Sequence, residues 1–310
     1  CILAAIGGGF IIKHVIDNAP EITADSIKPQ GYTSTALADD GTTTIAEFTG
    51  AGANRVYKTI DQIPKDLQHA FVAIEDSRFY KHNGIDIQGI IRAFVVGITH
   101  GGNFSEGAST ITQQLLKNTV FTDWTSEGNN KIKKIKRKIQ EQYLALEITK
   151  YYSKDEILLR YMNAINLGQN TLGVESASLR YFGKHCSELT ISECAVIASI
   201  TQNPSKYNPI RHPEENVKRR EKCLNKMLEL GFISQTQYDE AMADTDAVYE
   251  RIGLYDIDYQ EANATTGSYF SDAVYEQVKQ DLILSGYNEN MAETLLTSGG
   301  LRVELSLIHI

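Results

Sequence analysis

Two carboxylates in cationic company hold the most chemical promise in this sequence. Glu75 closes the apolar run 71–74 and opens the segment Glu75-Asp76-Ser77-Arg78-Phe79-Tyr80-Lys81-His82-Asn83-Gly84. A carboxyl group at the edge of apolar packing is poorly solvated, which suits general acid or base work. Glu75 and Asp76 could equally form a polar helix end beside Arg78 and His82, because ionisable clusters are often structural. Glu141 follows the basic run 131–138. There Ile132, Ile135, Ile139, Tyr143 and Leu146 recur at helical spacing, which predicts an apolar stripe with the cations and Glu141 on other faces. Such a run is usually a solvated face or a surface for anionic lipid heads. Glu141 could also simply pair with Arg137 and Lys138, four and three residues before it.

Between the carboxylates lies Gly107-Ala108-Ser109-Thr110-Ile111-Thr112-Gln113-Gln114-Leu115-Leu116-Lys117-Asn118, a glycine-led turn entering a helix. Thr110, Gln114 and Lys117 share one face at i, i+4 and i+7, with the free N–H groups of the helix start at the same end. Donors, a helix N-terminus and a cation suit an anion, with diphosphate the natural guest. An ordinary capped amphipathic helix is the plainer alternative. Two further stretches, 153–184 and 195–220, read by themselves only as helix, glycine turn and helix, and as core helix plus ordered loop.

These residues need a scaffold, and the sequence predicts a helical one. From Pro64 the apolar positions Leu67, Phe71 and Ile74 fall at i, i+4 and i+7, so one helix buries a stripe and delivers Glu75 at its end. Thr110 with Gln113, Ser153 with Glu156, Thr190 with Glu193 and Ser234 with Gln237 have the spacing of capping boxes, and Gly168 and Gly231 stand where helices should stop. Before this body, residues 19–62 carry Pro20, Pro29, the turn Asp39-Asp40-Gly41 and alternating runs at 43–48 and 55–60, which predict a stalk with one hairpin. After it, residues 240–310 turn tyrosine-rich around a helical stretch near 270–284. No GxGxxG, strand-helix rhythm or internal repeat is present.

The chain has 310 residues, 42% of them apolar, enough for a packed core and a length near that of two domains. Its net charge of -9 argues against nucleic acid as a partner. Cys1, Cys186, Cys194 and Cys223 show neither a CxxC pair nor zinc spacing and read as small buried apolar residues, with a disulfide open but unsupported. Residues 1–12, CILAAIGGGFII, are apolar and lack an initiating Met. They fall short of the roughly 20 residues that span a bilayer and read as the outer half of a membrane anchor, with everything after Lys13 outside. A signal-peptide core and a buried strand are the weaker alternatives.

Taken in order, five segments resemble the glycosyltransferase domain of class A penicillin-binding proteins and their monofunctional relatives, whose motifs have the forms EDxxFxxHxG, GxSTxxQQxxKN, RKxxExxxAxxLE, KxxILxxYxN and xNPxxYNP. The likeness covers roughly residues 60–232 and is far more specific than any single motif. It implies a mainly α, lysozyme-like domain with a membrane-associated small lobe that includes residues 85–98, preceded by the short β-containing stalk. The implied boundaries are an anchor at 1–15, a stalk at 16–62, the glycosyltransferase domain at 63–235 and, at 236–310, a linker towards a missing transpeptidase domain.

The resemblance also implies roles. Glu75 is the base for the acceptor sugar's 4-hydroxyl and Glu141 the second essential carboxylate. Asp76, Phe79 and His82 line the same site. Thr110, Gln114, Lys117, Arg137 and Lys138 hold the donor's diphosphate, with Ser109, Asn118, Lys154 and Asn163 as further substrate contacts. The implied reaction polymerises lipid II by inverting displacement. It requires no cofactor, although a divalent cation, Mg or Mn, could assist at the diphosphate, and the sequence shows no dedicated cage. The implied partners are lipid II, the growing glycan chain, the membrane and other cell-wall synthesis proteins, with the catalytic domain on the outer face of the cell membrane.

Leu159 stands where relatives often have Glu, and residues 123–130 lengthen the loop before the third motif. Gly299-Gly300-Leu301-Arg302-Val303 resembles the approach to a transpeptidase domain, which predicts a bifunctional parent, although this chain has no SxxK or KTG. Two rival readings remain at the level of residues: a lysozyme-like glycan-cleaving enzyme with Glu75 as acid, which needs no diphosphate site, and a non-catalytic wall-binding module, which gives no reason to frame carboxylates with cations.

Overall fold

Four helices start at the hydroxyl caps read from the sequence. Thr110, Ser153, Thr190 and Ser234 each accept from the N–H three residues on, while Gln113, Glu156, Glu193 and Gln237 return a bond to the cap's own N–H. This satisfies two donors that a helix start leaves orphaned. The computed structural model describes residues 12–22, 34–48, 56–99, 109–121, 130–169, 171–253 and 269–287, together with isolated positions and 301–305. Within them lie α1 Lys65–Glu75, α2 Ile87–Thr99, α3 Ile111–Thr119, α4 Lys131–Ile148, α5 Lys154–Ala164, α6 Val174–Phe182, α7 Ile191–Ser199, α8 Pro213–Glu229, α9 Gln235–Ala243, α10 Thr245–Glu250 and α11 Tyr269–Leu284. Gly231 follows the last residues of α8 with φ +70, whereas Gly168 sits in the turn beyond α5 rather than at its cap, Ile165.

The main core forms where α1 packs on α7 and α8, and α3 on α5. Leu67 and Phe71 are fully buried with Ile111, Leu115, Ile157, Tyr161, Val196, Leu224 and Met227. Each such side chain contributes about 1.5–3 kcal/mol on burial, and together they fix the end of α1. Ala241 of α9 and Val248 of α10 belong to the same core, and Gly253 N–H donates to the Tyr181 carbonyl at 3.2 Å, so packing continues past residue 235. Cys186, Cys194 and Cys223 are buried and unpaired.

Helix α4 lies differently from its predicted stripe. Its buried residues are Gln140, Glu141, Leu144, Ala145 and Ile148, while Ile132 is 80% exposed and Ile135 61%. The N-terminal half of α4 projects from the body. The C-terminal half is turned by a second core in which Leu144, Ala145 and Ile148 meet Leu116, Ile27, Ala19 and Ile22. Gln140 is buried because its amide donates to the carbonyls of Val15 and Asn18, at 3.0 and 2.8 Å, which docks residues 12–22 on this helix.

A three-stranded sheet stands beside the helices in the order β2-β1-β3. Strand β1, Ser34–Leu37, pairs antiparallel with β2, Thr44–Phe48, and Asp40 accepts from the N–H groups of Thr42 and Thr43 to close their turn. The run at 43–48 is thus a strand, but 55–60 is not. Among its described residues, 56–59 have no regular structure, and the N–H groups of Val56 and Lys58 go to the side chains of Ser176 and Asn163. The partner strand is β1 instead. Strand β3, Arg302–Glu304, runs parallel to β1, and Phe48 packs edge-on to Tyr275 of α11, so the predicted stalk and the C-terminal stretch share one sheet and one small core. Residues 1–11, 122–129 and 299–300, which carry most of the expected anchor (1–15), most of the loop insertion (123–130) and the diglycine, lie outside the described residues. Among those described, no helix is long and apolar enough to cross a membrane.

Candidate active site

Helix α1 ends on Glu75 because Asp76 leaves helical geometry at φ -156. The Glu75 carboxylate is then gathered from three directions. Oε2 accepts from Gln114 Nε2 of α3 at 2.7 Å, and Oε1 accepts from Arg219 Nη2 of α8 at 2.6 Å and from the Thr201 hydroxyl. The expected apolar surroundings are therefore replaced by an ion pair whose side chains are only 12% and 8% exposed. Tyr161 sets the polarity of the Gln114 amide. Burial first, and then the negative charge of Glu75, push its phenol well above the ordinary range, so it stays a donor, and its O–H donates to Gln114 Oε1 at 3.2 Å. The amide nitrogen is left facing Glu75.

Arg219 is fixed in turn. Its Nη1 donates to Gln202 Oε1 at 2.8 Å, and its guanidinium lies 4.9 Å over the Tyr207 ring. Gln202 holds φ +62, a left-handed conformation that a non-glycine residue adopts at a cost of order 1 kcal/mol and that clusters at functional sites. Sequence reasoning passed over Arg219, Thr201, Gln202 and Tyr161. The only sequence signal for Arg219 is the pair Arg219-Arg220 in an otherwise amphipathic helix, and nothing there says which of the two faces the site.

Asp76 has a different task from Glu75. Both its oxygens meet His82 Nε2, at 2.9 and 3.0 Å, and Oδ2 also accepts from Ile111 N–H at 3.0 Å. Asp76 therefore occupies the N-terminus of α3, where an anion was expected. Thr110 is spent as well: its hydroxyl donates to the Gly84 carbonyl at 2.6 Å and accepts from Gln113 N–H at 3.2 Å. These groups stitch the first two motifs together. Phe79 does not line a cleft; it is fully buried, and Lys154 Nζ lies 4.4 Å over its ring. Burial lowers the pKa of Lys154 against the pull of Asp76, and among the described residues its buried Nζ has no hydrogen-bond partner. Asn163 is a clasp, with Oδ1 accepting from Lys58 N–H and Nδ2 donating to the Lys58 and Leu159 carbonyls at 2.9 to 3.0 Å.

The second cluster centres on Glu141, fully buried, which takes Arg137 on Oε1 and Lys138 on Oε2, the latter at 2.9 Å. Lys138 also donates to Ser109 at 2.8 Å. The entry to α3 joins the clusters, since Ser109 reaches Lys138, Ile111 reaches Asp76 and Gln114 reaches Glu75. Lys117 and Asn118 lie half-buried further along that helix. Gly84 seals the junction: it holds φ +86, and a Cβ there would stand 2.1 Å from the Ala145 carbonyl of α4. Among the described residues no three His, Cys, Asp or Glu side chains could hold a metal ion.

Five ordered motifs thus converge on two carboxylates joined through one helix start. Residues 41–228 match the transglycosylase family. The chain belongs to that family. It is 36% identical over 311 residues to penicillin-binding protein 1A of Clostridium botulinum (strain Hall), covering 97% of this chain and 36% of that protein. It is 34% identical over 281 residues to penicillin-binding protein 1A/1B of Bacillus subtilis, covering 90% and 29%, and 43% identical over 188 residues to penicillin-binding protein 1A of Aquifex aeolicus, covering 61% and 25%. The crystal structure of penicillin-binding protein 1A from Haemophilus influenzae is similar with a TM-score of 0.38 and 22% identity, over 89% of this chain and 27% of that one. The chain spans about a third of the length of the first of these relatives.

Proposed function

We propose that this transglycosylase-family chain polymerises lipid II into β-1,4-linked glycan strands, with inversion at the donor carbon and release of polyprenyl diphosphate. The Glu75 carboxylate carries the reading. A carboxylate offers about four lone-pair sites; Gln114, Thr201 and Arg219 take three, and the fourth, on Oε2, accepts the proton of the acceptor's 4-hydroxyl. The acceptor oxygen bonds to the donor's anomeric carbon as the bond from that carbon to diphosphate breaks. The proton goes to Glu75 and the electron pair to the diphosphate.

The leaving diphosphate needs positive charge where the bond breaks. Arg137, Lys138 and Lys117 supply it, and Glu141 acts through Arg137 and Lys138 by holding them. The site's carboxylates, each already matched by cations or N–H donors, do not fit a resident Mg or Mn ion.

Ile87, Ile91 and Val95 stand more than half exposed at i, i+4 and i+8 of α2. An exposed aliphatic stripe of this kind supports a small lobe that enters a lipid surface, with the domain on the outer face of the cell membrane behind a single-pass anchor. In this reading residues 16–62 are a stalk, 236–310 lead towards a transpeptidase domain, and other wall-synthesis proteins act beside it. Incubation of the purified chain with lipid II tests the central proposal. Long muramidase-sensitive glycan strands are expected; folded protein that makes none, or that instead shortens preformed glycan, contradicts it.

A further inference from the structure

A groove of 640 Å³ lies on another side of α8, between that helix, the loop before it and α10. Its apolar lining comes from Pro209, Ile210, Val217 and Tyr249, a size and composition that suit inserted aliphatic or aromatic side chains. Glu214, Asp246 and Glu250 also line it; all three are exposed, and none is in an ion pair among the described residues. The carboxylates do not converge as metal ligands. They are spread over two helices, a spacing that suits several cations along an extended chain.

The groove also has a physical route to Glu75. The Tyr249 hydroxyl donates to Asn216 Oδ1, and burial raises the phenol's pKa, so it remains a donor. Asn216, fully buried, donates to the Tyr207 carbonyl at 2.8 Å. The Tyr207 ring underlies Arg219, the ion-pair partner of Glu75.

We propose that this groove docks a basic, apolar-anchored segment of a partner polypeptide and relays its occupancy to Arg219 through Tyr249, Asn216 and Tyr207. The docking claim is independent of the role given to Glu75. Charge complementarity selects the occupant, since an acidic segment would meet three unpaired carboxylates and a purely cationic small molecule would leave the apolar wall uncovered.

The test uses the purified chain with a fluorescein-labelled peptide of alternating Leu and Arg, its Leu/Glu counterpart and spermidine, followed by anisotropy. The Leu/Arg peptide should bind, the Leu/Glu peptide should not, and spermidine should compete poorly. Cross-linking in the wild-type chain should map the peptide to α8 and α10. Glu214→Lys, Asp246→Lys and Glu250→Lys combined should weaken binding roughly tenfold, with the melting temperature unchanged. Cross-links elsewhere, unchanged affinity in the triple variant, or equal competition by spermidine would overturn docking. For the relay, amide hydrogen exchange in residues 201–208 should slow when peptide binds the wild type. Tyr249→Phe, measured at peptide concentrations that saturate it, should not show that slowing. If exchange in 201–208 is unmoved in the wild type, the relay is wrong; if Tyr249→Phe still shows the slowing, Tyr249 does not carry it.

Discussion

Glu75, half-buried, and Glu141, fully buried, are both carboxylates matched by cations, but their partners come from opposite places in the sequence. Glu141 is served by its own helix, from Arg137 and Lys138 one turn away. Glu75 is served by Gln114, Thr201 and Arg219, which lie 39, 126 and 144 residues on. The local pair needs only a helix to form, whereas the distant network exists only when α1, α3 and α8 are packed together. This division suits the proposed roles. A site that concentrates charge can be built from one helix, while a base that must meet a reacting hydroxyl in one orientation has to be held from several sides.

Breaking the junction between the two regions should have the largest effect. Gly84→Ala places a Cβ against the Ala145 carbonyl at a φ that L residues avoid. A cost of at least about 3 kcal/mol is expected from strain and clash together, read as a lowered denaturant midpoint. Stability close to wild type would show that α4 can move away from Gly84 freely.

Arg219→Ala comes next and strikes the Glu75 side alone. It strands a nearly buried carboxylate, so a loss of about 1–3 kcal/mol in stability and a polymerisation rate at least about tenfold lower are expected. Arg219→Lys should recover the charge but not the two-pronged contact to Glu75 and Gln202. Equal activity in all three proteins would mean that the ion pair is only structural.

The smallest effect concerns a buried carboxylate outside both regions. Burial alone would raise the pKa of Glu175, but the Cys186 N–H, His185 and Lys58 outweigh it and hold it below the ordinary 4.5. A carboxylate with a depressed folded pKa stabilises fully above its unfolded value and loses that contribution as pH falls through the folded one. The wild type should therefore lose stability as pH falls below about 4.5 and through the depressed folded value, and Glu175→Gln should show a shallower decline there. Identical pH profiles would remove Glu175 from the account.

The same contrast explains what the sequence disclosed. The four capping boxes were legible because cap and partner sit three residues apart, and the Glu141 pairing because it obeys helix spacing. The apolar stripe of α4 misled because Ile132 and Ile135 belong to a projecting half-helix, while Gln140 and Glu141 are buried by finding partners. Side-chain type also hid purpose: Asn163 could be a ligand contact, but its amide clasps Lys58, and Phe79 is core. The N–H groups at the start of α3 looked open to an anion because nothing in the sequence announces that Asp76 takes one of them. Arg219 was beyond reach, since only the packing of α8 on α1 decides that it, rather than the buried Arg220, meets Glu75.

Glu75→Gln and Glu141→Gln, compared side by side for lipid II binding and for turnover, test the assignment of the base most directly. Glu75→Gln should lose turnover by roughly 10²–10⁴-fold while binding lipid II nearly as well as the wild type. Glu141→Gln should weaken binding and turnover together by loosening Arg137 and Lys138. Substantial turnover in Glu75→Gln, or a complete loss confined to Glu141→Gln, would contradict the account.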